Sequence, residues 1–240
     1  MNLKHRLIRK RNKYLLLLML IINTFSITSA FAQQSLFNVP SVETTEKNKY
    51  FFQEQVDLFS KGVANTTLDY GLGQGWETGL TIPGVNFYSG DQADPMLLVN
   101  VQKGFYVNES WKVGVGTQTG YTVPFHDSST EFATFNYWNN AFDLNDWGKY
   151  YLGVYSANKA ITGNSANTNF LAGVELPFTQ NVHIMADYIG GKNDIGATAI
   201  GLVWYASKKW QFSAGGQFSN DHHSKDAFQG AIVEFTFVEQ

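Results

Sequence analysis

From Tyr50 onward, apolar and polar residues alternate with a period of two, the pattern of strands that present two unlike faces. Followed along the chain, it predicts twelve strands, at 50–60, 62–72, 75–83, 95–105, 110–122, 131–142, 147–158, 167–177, 181–190, 195–206, 208–218 and 228–238. Each is about ten residues long, enough to cross a bilayer at a tilt near 45°. In the second strand Ala64, Leu68, Tyr70 and Leu72 share one face while Asn65, Thr67 and Asp69 share the other. In the third, Trp76, Leu80 and Ile82 oppose Glu77, Gly79 and Thr81; in the fifth, Trp111, Val113 and Val115 oppose Lys112, Gly114 and Gly116. The eighth and ninth set Phe170, Ala172, Val174, Val182 and Ile184 against Glu175, His183 and Asp187. The eleventh sets Trp210 and Phe212 against Gln211, Ser213 and Gln217. The seventh is less regular, because Lys149 shares the parity of Trp147.

A turn followed by tryptophan recurs at Trp76, Trp111, Trp147 and Trp210, always at the start of a strand. Indole rings at one end of alternate strands form the girdle expected at a membrane interface. Links after the second, fourth, eighth and tenth strands are short, whereas those after the third, fifth, seventh and eleventh are longer and polar. That asymmetry predicts short periplasmic turns and long outer loops. Together these features predict an all-β fold: an antiparallel transmembrane β-barrel of about twelve strands, with the apolar parity toward lipid and the polar parity toward a lumen. A two-sheet sandwich would use the same alternation, but a glycine-rich face such as Gly114, Gly116 and Gly120 suits it poorly.

Ahead of the strands, Lys4, Arg6, Arg9, Lys10, Arg11 and Lys13 precede a short apolar run at 14–22 and small residues at Ala30-Phe31-Ala32. This is the grammar of a cleaved signal peptide over 1–32, and the run is too short to span a bilayer. Residues 33–49 are expected to be a periplasmic N-terminal segment, a tail rather than a plug, and 50–240 the barrel. Removing 1–32 leaves 11 basic residues against 20 acidic ones, a charge of −9, which is the wrong sign for a nucleic-acid partner. The chain has no Cys, so no disulfide framework supports it.

The residues with chemical potential are few. Gly71-Leu72-Gly73-Gln74-Gly75 lacks the Lys-Ser/Thr of a phosphate loop and reads as a turn. His222-His223 with Asp221 and Asp226, and His126 with Asp127, lie in loops without the spacing that fixes a metal, so neither metal nor cofactor is expected. A membrane-embedded lipid hydrolase would need a Ser–His pair at the lipid face. His183, Asp187 and Ser213 all have inward parity, so an enzyme is not expected. The inward polar set, Asn65, Asp69, Glu77, Lys112, Gln118, Glu175, His183, Asp187, Gln211 and Gln217, is better suited to lining a lumen. The interface girdle is assigned to Trp76, Trp111, Trp147 and Trp210.

Three stretches carry a resemblance: Asn38-Val39-Pro40-Ser41 with Phe51-Phe52-Gln53-Glu54-Gln55; Asn65 to Leu72 leading into Gly75-Trp76-Glu77-Thr78-Gly79-Leu80; and Trp204-Tyr205-Ala206 leading to Trp210-Gln211-Phe212-Ser213-Ala214-Gly215. In these the chain resembles Gram-negative outer-membrane barrels labelled as transporters or phenol-degradation-pathway outer-membrane proteins. The resemblance implies uptake of small compounds, hydrophobic ones included, and supplies no catalytic residues. The expected function is a narrow outer-membrane channel or carrier for small molecules, with outer-membrane lipid and a solute as its partners. The alternatives are a non-conducting barrel whose long loops bind a partner and, behind it, a membrane-embedded lipid hydrolase.

Overall fold

The computed structural model describes residues 36–59, 62–87, 94–124, 129–163, 167–221 and 229–240. It contains twelve antiparallel strands: β1 Tyr50–Leu58, β2 Gly62–Gly73, β3 Trp76–Asn86, β4 Met96–Asn108, β5 Trp111–Thr122, β6 Phe132–Asp143, β7 Lys149–Ala157, β8 Asn167–Pro177, β9 Val182–Ile189, β10 Ala197–Tyr205, β11 Trp210–Ser219 and β12 Gln229–Val238. Every strand pairs with its sequence neighbours, and β1 closes the ring on β12 from Phe51↔Val238 to Leu58↔Ala231. The expected barrel is therefore the observed fold. Every strand end falls within three residues of its sequence-based position. The signal peptide expected at 1–32 and the loop residues His126, Asp127, His222, His223 and Asp226 lie outside the described residues.

Alternation along the strands resolves into two surfaces. Outward positions such as Leu80, Leu97, Val115, Leu152, Phe170, Ile200, Leu202 and Phe218 are exposed, whereas their inward neighbours are buried. A belt of exposed apolar side chains around a closed barrel is the surface that hydrocarbon requires, since closure satisfies every ladder hydrogen bond internally. On this belt near β11, Trp210 stacks on Phe235 at 4.9 Å and Phe212 on Trp204 at 5.7 Å.

Links 74–75, 109–110, 144–148, 178–181 and 206–209 lie at one end of the barrel, together with the start of β1 and the end of β12. Trp76, Trp111 and Trp210 open their strands at this end. Trp147, 76 % exposed, belongs instead to a 3-10 turn, Asn145–Trp147, in the β6–β7 link. The expected strand over 147–158 is corrected accordingly. Because β7 starts at Lys149, Trp147 is free of the strand's parity, which removes the irregularity seen in the sequence. Asn145 adopts φ 55 and Gly148 φ 94, so the turn is built from a left-handed Asn and a Gly at positions that suit them. The opposite end carries the longer links, one of which holds a short helix, α1, at Lys159–Thr162.

If the outward face meets lipid, Ile200→Arg, at mid-height on β10, should destabilise the barrel by about 2–4 kcal/mol. Denaturant unfolding in lipid vesicles measures this; a loss under about 1 kcal/mol would place that face away from hydrocarbon.

Candidate functional site

The barrel interior is not empty. Residues 36–45 lie inside it, with Leu36, Phe37, Val39, Ser41 and Val42 fully or almost fully buried. The expected tail is thus corrected: this stretch of the N-terminal segment is an internal plug. Its path can be followed bond by bond. At the short-turn end, Glu77 Oε2 accepts from both the backbone N and Oγ1 of Thr45, each at 2.6 Å. Glu43 pairs with Lys112 Nζ at 2.7 Å. Deeper in, Gln102 Nε2 donates to Glu43 O at 2.7 Å, and Asn139 Nδ2 donates to Pro40 O at 2.6 Å. Asp187 Oδ2 receives two successive backbone donors, Asn38 N at 2.6 Å and Val39 N at 3.1 Å. Asn38 Nδ2 donates to Gln217 Oε1 at 3.0 Å, and Leu36 N turns back to Val39 O.

These contacts follow from what an extended segment demands. Its backbone groups are removed from water and need partners, because an unmet buried donor or acceptor costs about 1–3 kcal/mol. The wall supplies carboxylates and amides at those heights. It also supplies room: a methyl on Gly104 would stand 2.6 Å from Val42 O, and one on Gly114 would stand 3.0 Å from Val42 Cα. Glycine at these two positions lets the backbone pass close to the sheet. The apolar side chains of the segment enter an interior that also holds fully buried Leu98, Leu171, Met185, Val203 and Ile232. The protein's hydrophobic core therefore lies within the barrel.

The ten residues assigned to the lumen are divided by this plug. Asn65, Asp69, Glu77, Gln118 and Gln217 line a cavity of about 320 Å³ that runs beside the segment. Phe37, Asn38 and Pro40 of the segment form part of its wall, and Pro83, Met96, Ile161 and Ile195 lie on the loop side. Lys112 and Asp187 do not line it and are engaged by the segment, as Glu77 and Gln217 also are. Glu175 and His183 form a pair of their own: His183 Nδ1 lies 2.6 Å from Glu175 Oε1, which also accepts from Tyr205 Oη at 2.5 Å. Gln211 is buried opposite Thr236 in the β11–β12 register. Ser213 stands opposite Glu234 in that same register, so the residues considered for a hydrolase have separate partners. Among the described residues no group of three His, Cys, Asp or Glu side chains is placed to hold a metal.

Alternation alone missed the segment itself and the inward aromatics around it. Tyr137 donates to Gln102 Oε1, and Tyr155 donates to Gly190 O at 2.6 Å. The signal available in the sequence was the set of inward glycines, which left space in the wall for something to fill.

No family model and no curated protein matches the chain. Among solved structures, the NanC porin superposes with a TM-score of 0.50 at 11 % identity, covering 80 % of this chain and 100 % of the porin. The outer-membrane channel DcaP of Acinetobacter baumannii gives 0.37 at 10 % identity, covering 88 % and 70 % of the two chains. Outer membrane phospholipase A from Escherichia coli gives 0.45 at 11 % identity, covering 88 % and 96 %. At these identities the likeness to the porin is one of fold.

The absence of native Cys allows a direct probe of the plug. Val39→Cys should be protected from a water-soluble maleimide, and adding Glu77→Gln with Asp187→Asn should speed labelling about tenfold or more, since hydrogen bonds to charged groups contribute about 1.5–3 kcal/mol each. Equal labelling with and without those two changes would show that they do not hold the segment.

Proposed function

We propose that this protein is an outer-membrane barrel that passes small solutes by diffusion, and that the structure described is its closed state. One observation carries the reading: residues 36–45 run through the interior, and Phe37, Asn38 and Pro40 wall a cavity that reaches from Glu77 near the short turns to Met96 and Ile161 near the long loops. Lifting that segment would widen the cavity along the barrel axis and leave a passage lined by both polar and apolar side chains. The bonds that retain it are largely polar and end on wall groups that water can satisfy equally well, so the plugged and open states differ by less than burial alone would suggest. Eight-stranded barrels are filled by wall side chains and 16–18-stranded ones leave a wide channel; twelve strands with a removable filling fall between them.

Export by the signal sequence and residence in the outer membrane belong to the same reading, as does the role of Trp76, Trp111, Trp147 and Trp210 as an interface girdle. The resemblance to phenol-pathway barrels adds small hydrophobic compounds to the solutes to be tried. The filled interior also favours a second reading, a non-conducting barrel whose long loops bind a partner.

Planar-bilayer recording separates the two. The processed barrel should be silent or flicker rarely, and a variant lacking residues 36–45 should conduct continuously. If the deletion variant shows the heat-modifiable gel migration of a folded barrel and still passes no current, conduction is excluded and the loop-binding reading takes its place.

A further inference from the structure

The cavity is one-sided in charge. Asp57, Asp69, Glu77 and Asp194 line it, and no described Lys, Arg or His does. Glu77 is occupied by Thr45, but the hydrogen bonds to Asp57 and Asp69 come from neutral amides. Asp57 accepts from Gln55 Nε2 at 3.0 Å and Asn65 Nδ2 at 2.9 Å, and Asp69 from Asn100 Nδ2 at 3.1 Å. Two carboxylates are thus drawn into a confined space with no countercharge among the described residues, an arrangement that favours a cation entering from outside.

The wall around Asp69 narrows the choice of cation. In the strand register Phe51 stands beside Asp69, Asp69 beside Gly79, Gly79 beside Asn100, Asn100 beside Gln118, and Gln118 beside Phe135. Gly79 makes this row work: a methyl there would overlap Asp69 Oδ1, and its absence lets Asn100 reach the carboxylate across an intervening strand. Asn100 spends its amide nitrogen on Asp69 and on Thr81 Oγ1, at 2.7 Å, while its buried Oδ1 accepts no hydrogen bond. Asn100 is 8 % exposed and lines the cavity, so the row keeps one unpaired acceptor beside the Asp69 carboxylate. Phe51, Phe135 and Tyr137 add aromatic surface to the same cavity. Carboxylate, spare acceptor and ring faces together suit an ammonium group carried on a small aryl or apolar body.

We infer that the cavity is a binding site for small organic ammonium ions, with Asp69 as the charge partner, Asn100 positioning it, and Phe51 and Phe135 flanking the apolar part. The site deepens the channel reading by naming the solute class, and it rests on that reading only for the step of passage. Binding to the intact barrel requires no conduction.

Titration calorimetry on the detergent-solubilised, processed barrel tests it, with benzylammonium, benzoate, benzyl alcohol and potassium as probes. Benzylammonium should bind saturably, one per barrel, with benzoate and benzyl alcohol at least tenfold weaker and potassium a poor competitor. Asp69→Asn should weaken benzylammonium at least tenfold while leaving heat-modifiable migration unchanged. Equal affinity for benzoate or benzyl alcohol, competition by potassium at matched concentration, or unchanged affinity in the folded Asp69→Asn barrel would overturn the assignment; the ligand series on the unaltered protein decides the matter if that variant does not fold. Binding without current in the plug-deletion variant would retain this site and remove the channel. Current without binding would do the reverse.

Discussion

In hydrocarbon there is no water to satisfy a backbone N–H or C=O, and each one left open costs several kcal/mol. A sheet that crosses a membrane must therefore have no edge, and here the pairing of β1 with β12, Phe51↔Val238 through Leu58↔Ala231, removes the last one. Closure also fixes every side chain's direction. A slip of one residue by β1 would turn Asp57 toward lipid and Val56 inward, and the same slip by β12 would do so to Glu234 and Val233, so the ladder that closes the ring also determines which groups face the interior. The polar interior, the plug that fills it and the cavity left beside the plug all depend on that register.

A twelve-stranded ring encloses more space than its own inward side chains fill, and the N-terminal segment is what this chain places there. The filling is held in two ways. Its apolar residues share the interior with Leu98, Leu171, Met185 and Ile232, and its backbone ends on Glu77, Gln102, Asn139 and Asp187. The first set opposes entry of water, and the second gives the segment a defined course rather than a loose packing. Beside it, the row around Asp69 borders a cavity that no cationic side chain among the described residues lines.

Strands were legible in the sequence because alternation has a local cause: adjacent residues on a strand face opposite sides, and the two sides here differ in solvent. Local conformation that escapes this rule was misread, as with Trp147, which stands in a tight turn that alternation cannot distinguish from the first residue of a strand. The ten polar residues share one parity in the sequence, but their division between cavity, plug contacts and the Glu175–His183 pair was not readable there, because it depends on a partner from elsewhere in the chain. Residues 36–45 have no periodicity, contain Pro40, and read as a tail. Their counterpart in the sequence was indirect: Gly104 and Gly114 on one inward face, and apolar residues such as Leu171 and Met185 on a parity that lipid never meets.

The bonds from the plug reach β3, β4, β5, β6, β9 and β11, strands on different sides of the ring. It therefore acts like the spokes of a wheel. A bare cylinder of strands can flatten into an ellipse under lateral pressure from the surrounding lipid, whereas one braced across its diameter keeps a round section. Without the brace the cylinder would resist such flattening less.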